Sequence, residues 1–222
     1  FEEKPLAQVI AEKIGRSVTI ENDTRAMTYG EYIRYYPEDR KNILFVNASW
    51  GVGIGIIIDG KIYNGKSGYA GEFGHMSVYN NEIMCHCGKK GCVETEASGS
   101  AIARQLAARI NAGEVSVLSE KVSRGGDVTQ DDIVETVEKE DPLTIELVEE
   151  VGQKLGKQIA NMINVFNPDV VIIGGGRALT GDYLLPPIKT AIRKYSLNLV
   201  SRDSQVVASK LKDKAGVTGA CM

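Results

Sequence analysis

Gly71-Glu72-Phe73-Gly74-His75 is followed, after nine residues, by Cys85-His86-Cys87-Gly88-Lys89-Lys90-Gly91-Cys92-Val93-Glu94. Three of the chain's four cysteines and both of its histidines fall in this stretch. Nothing around them suggests the disulfide framework of a small secreted domain, so the clustering reads as metal binding. His75, Cys85, Cys87 and Cys92 supply one nitrogen and three thiolates, a closed tetrahedral set suited to a structural zinc ion. Gly88 and Gly91 let the backbone fold tightly where a Cβ would crowd the ion. Three thiolates around a dication leave a net negative charge, and Lys89 and Lys90 are placed to offset it. His86 is the rival fourth ligand, but between two ligating cysteines it has trouble turning inward. Cys221 stands alone near the end and reads as a small buried apolar residue.

Working outward, residues 64–95 form a long irregular segment, and segments of that length are functional or tied down by something. Upstream, Ile43-Leu44-Phe45-Val46 is a short apolar run and hence a buried strand. Residues 52–58 are a second, rich in β-branched side chains. Asp59-Gly60 is a two-residue hairpin turn, and Lys61-Ile62-Tyr63 begins the returning strand. Nearer the start, Leu6, Val9, Ile10 and Ile14 recur at helical spacing before Gly15. Ser17-Val18-Thr19-Ile20 reads as a strand, Asn22 and Asp23 as helix caps, and 24–32 as a helix. That places Asn22-Asp23 at a strand-to-helix junction, where open α/β sheets bind ligands. Downstream, 101–110 is helical and 111–140 is a small helical excursion. Leu147, Val148, Val151, Leu155, Ile159, Met162, Ile163 and Phe166 trace one apolar helix face that ends at Asn167-Pro168. Val170-Val171-Ile172-Ile173 is a buried strand running into Gly174-Gly175-Gly176. Residues 184–197 are largely helical, and Val206-Val207-Ala208 is a last strand.

Hydrophobic residues make up 43% and charged residues 25% of the 222, the composition of a globular protein. No apolar run approaches the roughly 18–20 residues of a membrane span. Phe1-Glu2-Glu3-Lys4-Pro5 resembles no signal peptide, so a cytoplasmic location is expected. A first residue other than Met points to a fragment with something before it. The formal net charge is −3, and no Lys/Arg stripe offers a duplex-binding surface. The metal loop lacks the second Cys/His cluster and the basic flanks of a nucleic-acid-binding finger.

The 71–94 stretch resembles the zinc signature of the ROK family, named for repressors, open reading frames and kinases. Glu21-Asn22-Asp23 resembles that family's sugar-site Asn-Asp. Residues 170–176 resemble its adenosine-side strand and glycine turn, and Ala215-Gly216-Val217-Thr218-Gly219-Ala220 its C-terminal helix. The resemblance implies an α/β protein with the actin-like ATPase (ribonuclease H-like) carbohydrate-kinase fold. Residues 1–21 would then be the remainder of the N-terminal lobe or hinge. Residues 22–222 would be the C-terminal sugar-binding lobe with the zinc loop 71–94. Asn22, Asp23, Glu72, His75 and Glu94 would contact sugar hydroxyls. The chemistry agrees, because carboxylates accept strongly from hydroxyls and Asn both donates and accepts. His75 could bind zinc through one ring nitrogen and a hydroxyl through the other. The effector would be a monosaccharide or a sugar phosphate, and a neutral sugar is favoured because the motif set holds no cation.

Kinase and regulator divide at one loop. The family's sugar kinases use the Asp of Asn-Asp as base, a role open to Asp23, together with ATP and Mg²⁺. One phosphate loop of theirs, Asp-x-Gly-x-Thr, has no counterpart in the chain. The other resembles Gly-Thr-Gly-x-Gly-Gly-Gly, where this chain reads Ser49-Trp50-Gly51-Val52-Gly53-Ile54-Gly55. Trp50 stands in the place of the phosphate-contacting Thr, and Ile54 in that of a glycine. Phosphoryl transfer rests on positioning and charge neutralisation around the phosphates, so the expected function is a sugar-sensing transcriptional regulator. It would act as a homodimer or higher homo-oligomer whose DNA-reading helix-turn-helix precedes this chain. Gly51, Gly53, Gly174, Gly175 and Gly176 would be its nucleotide side, vestigial or active. The alternative is an ATP-dependent sugar kinase.

Overall fold

The computed structural model describes residues 4–37 and 40–222, with side chains for all of these except 177–179, so the first three residues of the 1–21 segment lie outside the description. Its centre is a five-stranded sheet of order β3-β2-β1-β4-β5, made of β1 (Ile43–Ala48), β2 (Val52–Ile58), β3 (Lys61–Ile62), β4 (Val170–Gly174) and β5 (Gln205–Ala208). β1, β2 and β3 pair antiparallel, whereas β1–β4 and β4–β5 are parallel. This is the mixed sheet expected of the actin-like sugar-kinase fold. The turn at Asp59-Gly60 forms as expected, with φ 50° and 76° at its two residues, the left-handed pair that matches the strand twist.

β4 and, apart from the buried Asn47, β1 are apolar because both faces of the sheet are covered. Leu44, Val46, Val171 and Ile173 face one core, which is shared with Val52, Ile54 and Ile56 and covered by α3 (Gly99–Asn111), α5 (Gln130–Glu138), α6 (Pro142–Phe166) and α7 (Leu185–Tyr195). Ile43, Phe45, Val170 and Ile172 face a second core with Tyr32 and Met27 of α2 (Asp23–Tyr35). α2 is itself held by the C-terminal helix α9 (Ala215–Ala220). The two cross at bare backbone: a methyl group on Gly30 would stand 2.4 Å from the Ala215 carbonyl oxygen, and one on Gly219 1.8 Å from that of Ala26.

Two expectations fail. Residues 17–20 join no strand. A strand needs a partner to take its backbone hydrogen bonds, and among the described residues both sheet edges, β3 and β5, are elsewhere. Cys221 is exposed, because it lies past the end of short α9, whose one buried residue is Ala215. α1 (Leu6–Ile14) forms as expected and ends on Gly15 at φ 66°, but buries none of its residues. No helix among the described residues is long and apolar enough to cross a membrane.

α6, the longest helix, is the back wall of the molecule. Pro142 starts it, and Asn167 closes it in the left-handed conformation with Pro168 following. Its N-cap Asp141 is buried and accepts from the Thr144 amide at 2.8 Å, the Thr144 hydroxyl at 2.9 Å and the Val117 amide at 2.7 Å. Burial pushes the Asp141 carboxyl up, but the Val117 and Thr144 donors outweigh it, and the group lies below its ordinary value. Its contribution is therefore complete above about pH 4 and lost as the pH falls through the lowered folded pKa. Asp141→Ala is expected to cost about 2–4 kcal/mol at neutral pH, read as a drop in Tm of about 2–4 °C per kcal/mol. Asp141→Asn retains a cap acceptor and is expected to cost less. Melts between pH 7 and pH 2 should show the gap between wild type and Asp141→Asn closing in acid, and a gap independent of pH would contradict the assignment.

Candidate functional site

The irregular segment after β3 is a folded-back arm built on apolar anchors. Phe73, buried to 2% exposure, plugs into the first core beside Val52 and Val93. It sits in the short 3₁₀ turn Phe73–His75, so its neighbours Glu72 and His75 are held on either side of a fixed point. Cys92 and Val93, both at 0% exposure, anchor the other end and place Glu94 in the turn Val93–Thr95. Between the anchors the arm folds back on itself through the isolated pairs Ser77–Cys92 and Met84–Lys90. The turn at its tip is closed by the Cys85 amide on the Lys89 carbonyl at 2.8 Å and the Gly88 amide on the Cys85 carbonyl at 2.9 Å. Gly88 and Gly91 both have positive φ, 82° and 74°. The arm is clamped to α6 by the Tyr79 hydroxyl on the Lys154 carbonyl at 3.4 Å, and by Lys154 Nζ on Glu96 Oε2 at 2.7 Å.

This folding brings His75, Cys85, Cys87 and Cys92 together, their ligand atoms all within 4.8 Å of one another. His75 Nδ1 lies 3.4 Å from Cys85 Sγ, and Cys87 Sγ lies 3.6 Å from Cys92 Sγ. Metal–sulfur bonds of about 2.3 Å and a metal–nitrogen bond of about 2.0 Å at tetrahedral angles place S···S at about 3.8 Å and S···N at about 3.5 Å. The four side chains therefore fit one tetrahedral ion. His86 is exposed and outside the cluster. Burial, reinforced by the Cys87 and Cys85 thiols, pushes Cys92 up to about 12. Burial also raises Cys85, whereas the Lys89 amide holds exposed Cys87 below the ordinary thiol range. With Cys85 and Cys92 buried and packed against Cys87, a cation is needed before all three thiols can ionise together. Lys89 Nζ reaches the His75 carbonyl at 3.3 Å, and Lys90 pairs with Glu82.

His75 Nδ1 faces the cluster, and Nε2 is turned toward Glu72 Oε2 at 3.8 Å. Beyond Glu72 lies a polar cleft of about 220 Å³, lined by Asn22, Asp23, Arg25, Asn47, Ser49, Gly51, Gly53 and Gly71 among others. So Asn22, Asp23 and Glu72 share one cleft with Gly51 and Gly53, while His75 and Glu94 stand behind its wall. Glu94 Oε2 accepts the Val52 amide at 3.1 Å, and a methyl group on Gly51 would meet that oxygen at 2.6 Å. Asn22 caps α2 by accepting the Arg25 amide at 3.1 Å. Asp23 Oδ1 accepts the Thr24 amide at 2.6 Å and the Thr24 hydroxyl at 3.3 Å. That hydroxyl accepts in turn from Asn47 Nδ2 at 2.9 Å, so β1 helps to fix Asp23.

The sequence reading missed Thr24, Asn47 and Arg25. The signal for Arg25 was available in the i, i+4 spacing of Glu21 and Arg25. Arg25 Nε donates to Glu21 Oε1 at 2.6 Å, and its NH1 donates to the Gly68 carbonyl at 2.6 Å. Burial pushes Glu21 up, but the Asn22 amide and Arg25 hold its carboxyl below the ordinary range.

Gly175 lies where β1 ends: a methyl group there would stand 2.3 Å from the Ala48 carbonyl oxygen and 2.7 Å from Asn47 Oδ1. Gly174 backs onto Phe45, and the Gly176 carbonyl accepts Gln130 Nε2 at 3.2 Å. Ile54 lies within β2, past the loop, and its side chain belongs to the first core. Trp50, 41% exposed, lines a separate groove with Ala103, Arg104 and Ala107 of α3. The Ser49 and Trp50 carbonyls accept the Gly99 and Ser100 amides at 2.8 and 2.9 Å, and the next amide, Ala101, is held by Ser98 Oγ at 3.1 Å. The first amides of α3 are thus used internally and are not free to meet an anion.

Comparison with known proteins places this geometry. The chain is 31% identical over 221 residues to a putative xylose repressor of Caldicellulosiruptor sp., covering 99% of this chain and 55% of that one. A solved ROK family transcriptional regulator, a homologue of the E. coli MLC protein, superposes with a TM-score of 0.82 at 35% identity, over 97% of this chain and 53% of that one. A Streptomyces griseus ROK family glucokinase, solved with glucose and AMPPNP, superposes with a TM-score of 0.85 at 30% identity, over 98% of this chain and 71% of that one. The chain thus spans about half the length of the two regulator-type relatives. The ROK family pattern itself matches residues 1–222, and the chain belongs to the ROK family.

Proposed function

We propose that this chain is the sugar-sensing part of a ROK-type transcriptional regulator, with a structural zinc ion at His75, Cys85, Cys87 and Cys92. The observation that carries the choice of regulator over kinase is the loop Ser49-Trp50-Gly51. Its carbonyls consume the first amides of α3, and by the sequence resemblance Trp50 replaces the small hydroxyl residue of the family's kinases. An indole supplies no small hydroxyl to a phosphate, and the α3 amides behind the loop are already used, whereas phosphoryl transfer rests on donors placed around the phosphates.

In this reading Asn22, Asp23 and Glu72 take the sugar's hydroxyls, with His75 and Glu94 behind them. The acceptor-rich wall suits hydroxyl donors, and with Arg25 already engaged by Glu21 and Gly68, a neutral monosaccharide fits better than a sugar phosphate. When bound, zinc would cross-link the arm and fix the ring of His75, presenting Nε2 on the cleft side. Sugar binding must favour one arrangement of the whole protein over another if it is to signal. The DNA-reading element and the oligomer contact would lie at least partly outside this chain. One observation favours the second reading, a sugar kinase with Asp23 as base: Asp23 lines the cleft and is oriented by Thr24 and Asn47.

Elemental analysis of full-length protein purified without chelator is expected to find about one equivalent of zinc per chain. Cys87→Ser should lower both metal content and Tm, and a clearly sub-stoichiometric wild type would refute the site. An ADP-release assay over hexoses, pentoses and amino sugars is expected to show no turnover in the ordinary enzyme range of about 1–10³ s⁻¹. Turnover in that range with any sugar would overturn the regulator reading in favour of the kinase. Trp50→Thr combined with Ile54→Gly tests whether the loop is the block, since activity gained by that pair would locate the defect there.

A further inference from the structure

The strand β3 and the turn holding Glu72 are joined by residues 63–71, which form the outer rim of the cleft. Backbone bonds fix the ends of this rim, the Tyr63 amide on the Ile56 carbonyl at 2.8 Å and the Ile54 amide on the Gly71 carbonyl at 3.2 Å, and the Ala70 amide on the Asn64 carbonyl at 3.2 Å closes it on itself. Between them the chain is almost bare. Every residue from 63 to 69 is exposed except Gly68, and Tyr69 is 76% exposed. Rims with so few packed side chains open locally at low cost. The Glu72 backbone is pinned through Phe73, but its side chain is 59% exposed, so the room left to that carboxylate depends on whatever holds the tip.

Among the described residues, one side chain hydrogen-bonds to it. Arg25, in the first turn of α2 and only 16% exposed, reaches across 43 residues of sequence to the Gly68 carbonyl. Its Nε is fixed on Glu21, whose same oxygen also accepts the Asn22 amide at 2.7 Å. Gly68 has φ 82°, and a methyl group there would meet nothing within 4 Å. Packing therefore does not call for a glycine at this position. The left-handed backbone does, and its carbonyl is the one that accepts from Arg25.

We propose that Arg25 is a positioning residue: it latches the rim 63–71 to the Asn22-Asp23 end of α2 and so limits the room in which the Glu72 carboxylate, on its anchored backbone, stands in the cleft. The fork geometry is essential. Nε and NH1 serve two acceptors at once, which a single ammonium group does not reproduce. Arg25 thus joins the two walls of the cleft, and it acts on a bound sugar through Glu72. The effect on sugar rests on the proposed sugar-binding reading, whereas the latch itself does not.

The test uses full-length protein with Arg25→Lys, which keeps the charge and the pairing with Glu21. Hydrogen exchange of the Ala70 amide is expected to speed up about tenfold, with amides of β1 and α6 unchanged. An unchanged Ala70 amide would overturn the latch, whether or not a sugar is known. Calorimetry with D-glucose and D-xylose then separates the two claims through a cycle with Glu72→Gln. Arg25→Lys is expected to weaken binding about tenfold in wild type and less than twofold in the Glu72→Gln background. Full additivity would show that Arg25 does not act through Glu72. If Glu72→Gln alone left affinity intact, the sugar role of Glu72 and the effect routed through it would both fall, while the exchange result would still decide the latch.

Discussion

His75 and Cys92 are 17 residues apart in sequence, yet both are held at the same point by apolar neighbours, Phe73 on one side and Val93 on the other. That convergence, with Cys85 and Cys87 supplied by the arm between them, is the constraint on which the cleft depends. Without a cross-link, a loop of this length orders itself only against a large entropic cost. The proposed ion, held by four ligands, would fix the ends of the arm, and the backbones of Glu72 and Glu94 would share that rigidity as neighbours of anchored residues. The Cys/His cluster and the cleft are in this sense one device, joined through the two nitrogens of His75.

The opposite wall is built by a different principle. β2 carries Gly53 and Gly55, which leave room for Thr24 and Thr28 of α2 to lie directly on the strand. Thr28 turns its hydroxyl back to the Thr24 carbonyl, and Thr24 is held by Asn47. The start of α2 is therefore locked to the central strands by small residues and short polar contacts, and Asn22-Asp23 is presented from a rigid base. The rim 63–71 bridges the two walls and is the least packed part of the site.

How far the sequence discloses all this depends on the range of each interaction. The ligand set was legible because its chemistry is local: three cysteines within eight residues and a histidine nearby leave few alternatives to a metal. The buried strands were legible because both sheet faces are covered, so their residues are apolar without alternation. The hairpin at Asp59-Gly60 and the stop at Asn167-Pro168 followed from backbone chemistry. Residues 17–20 were misread because β-branched composition states a preference and not a partner. Cys221 was misread because a lone cysteine carries no positional signal. Thr24 and Asn47 escaped notice because their contact joins residues 23 apart, which no local pattern encodes. The pairing of Arg25 with Glu21 was legible as an i, i+4 spacing, but its reach to Gly68, 43 residues away, was not.

The measurement that bears most directly on the central constraint is X-ray absorption at the zinc K edge of the full-length protein as purified. One ion bound by three sulfurs at about 2.3 Å and one nitrogen at about 2.0–2.1 Å, unchanged in His86→Ala and altered in His75→Ala, is the expected result. A four-sulfur or oxygen-rich shell, or a nitrogen that disappears with His86 in place of His75, would contradict it.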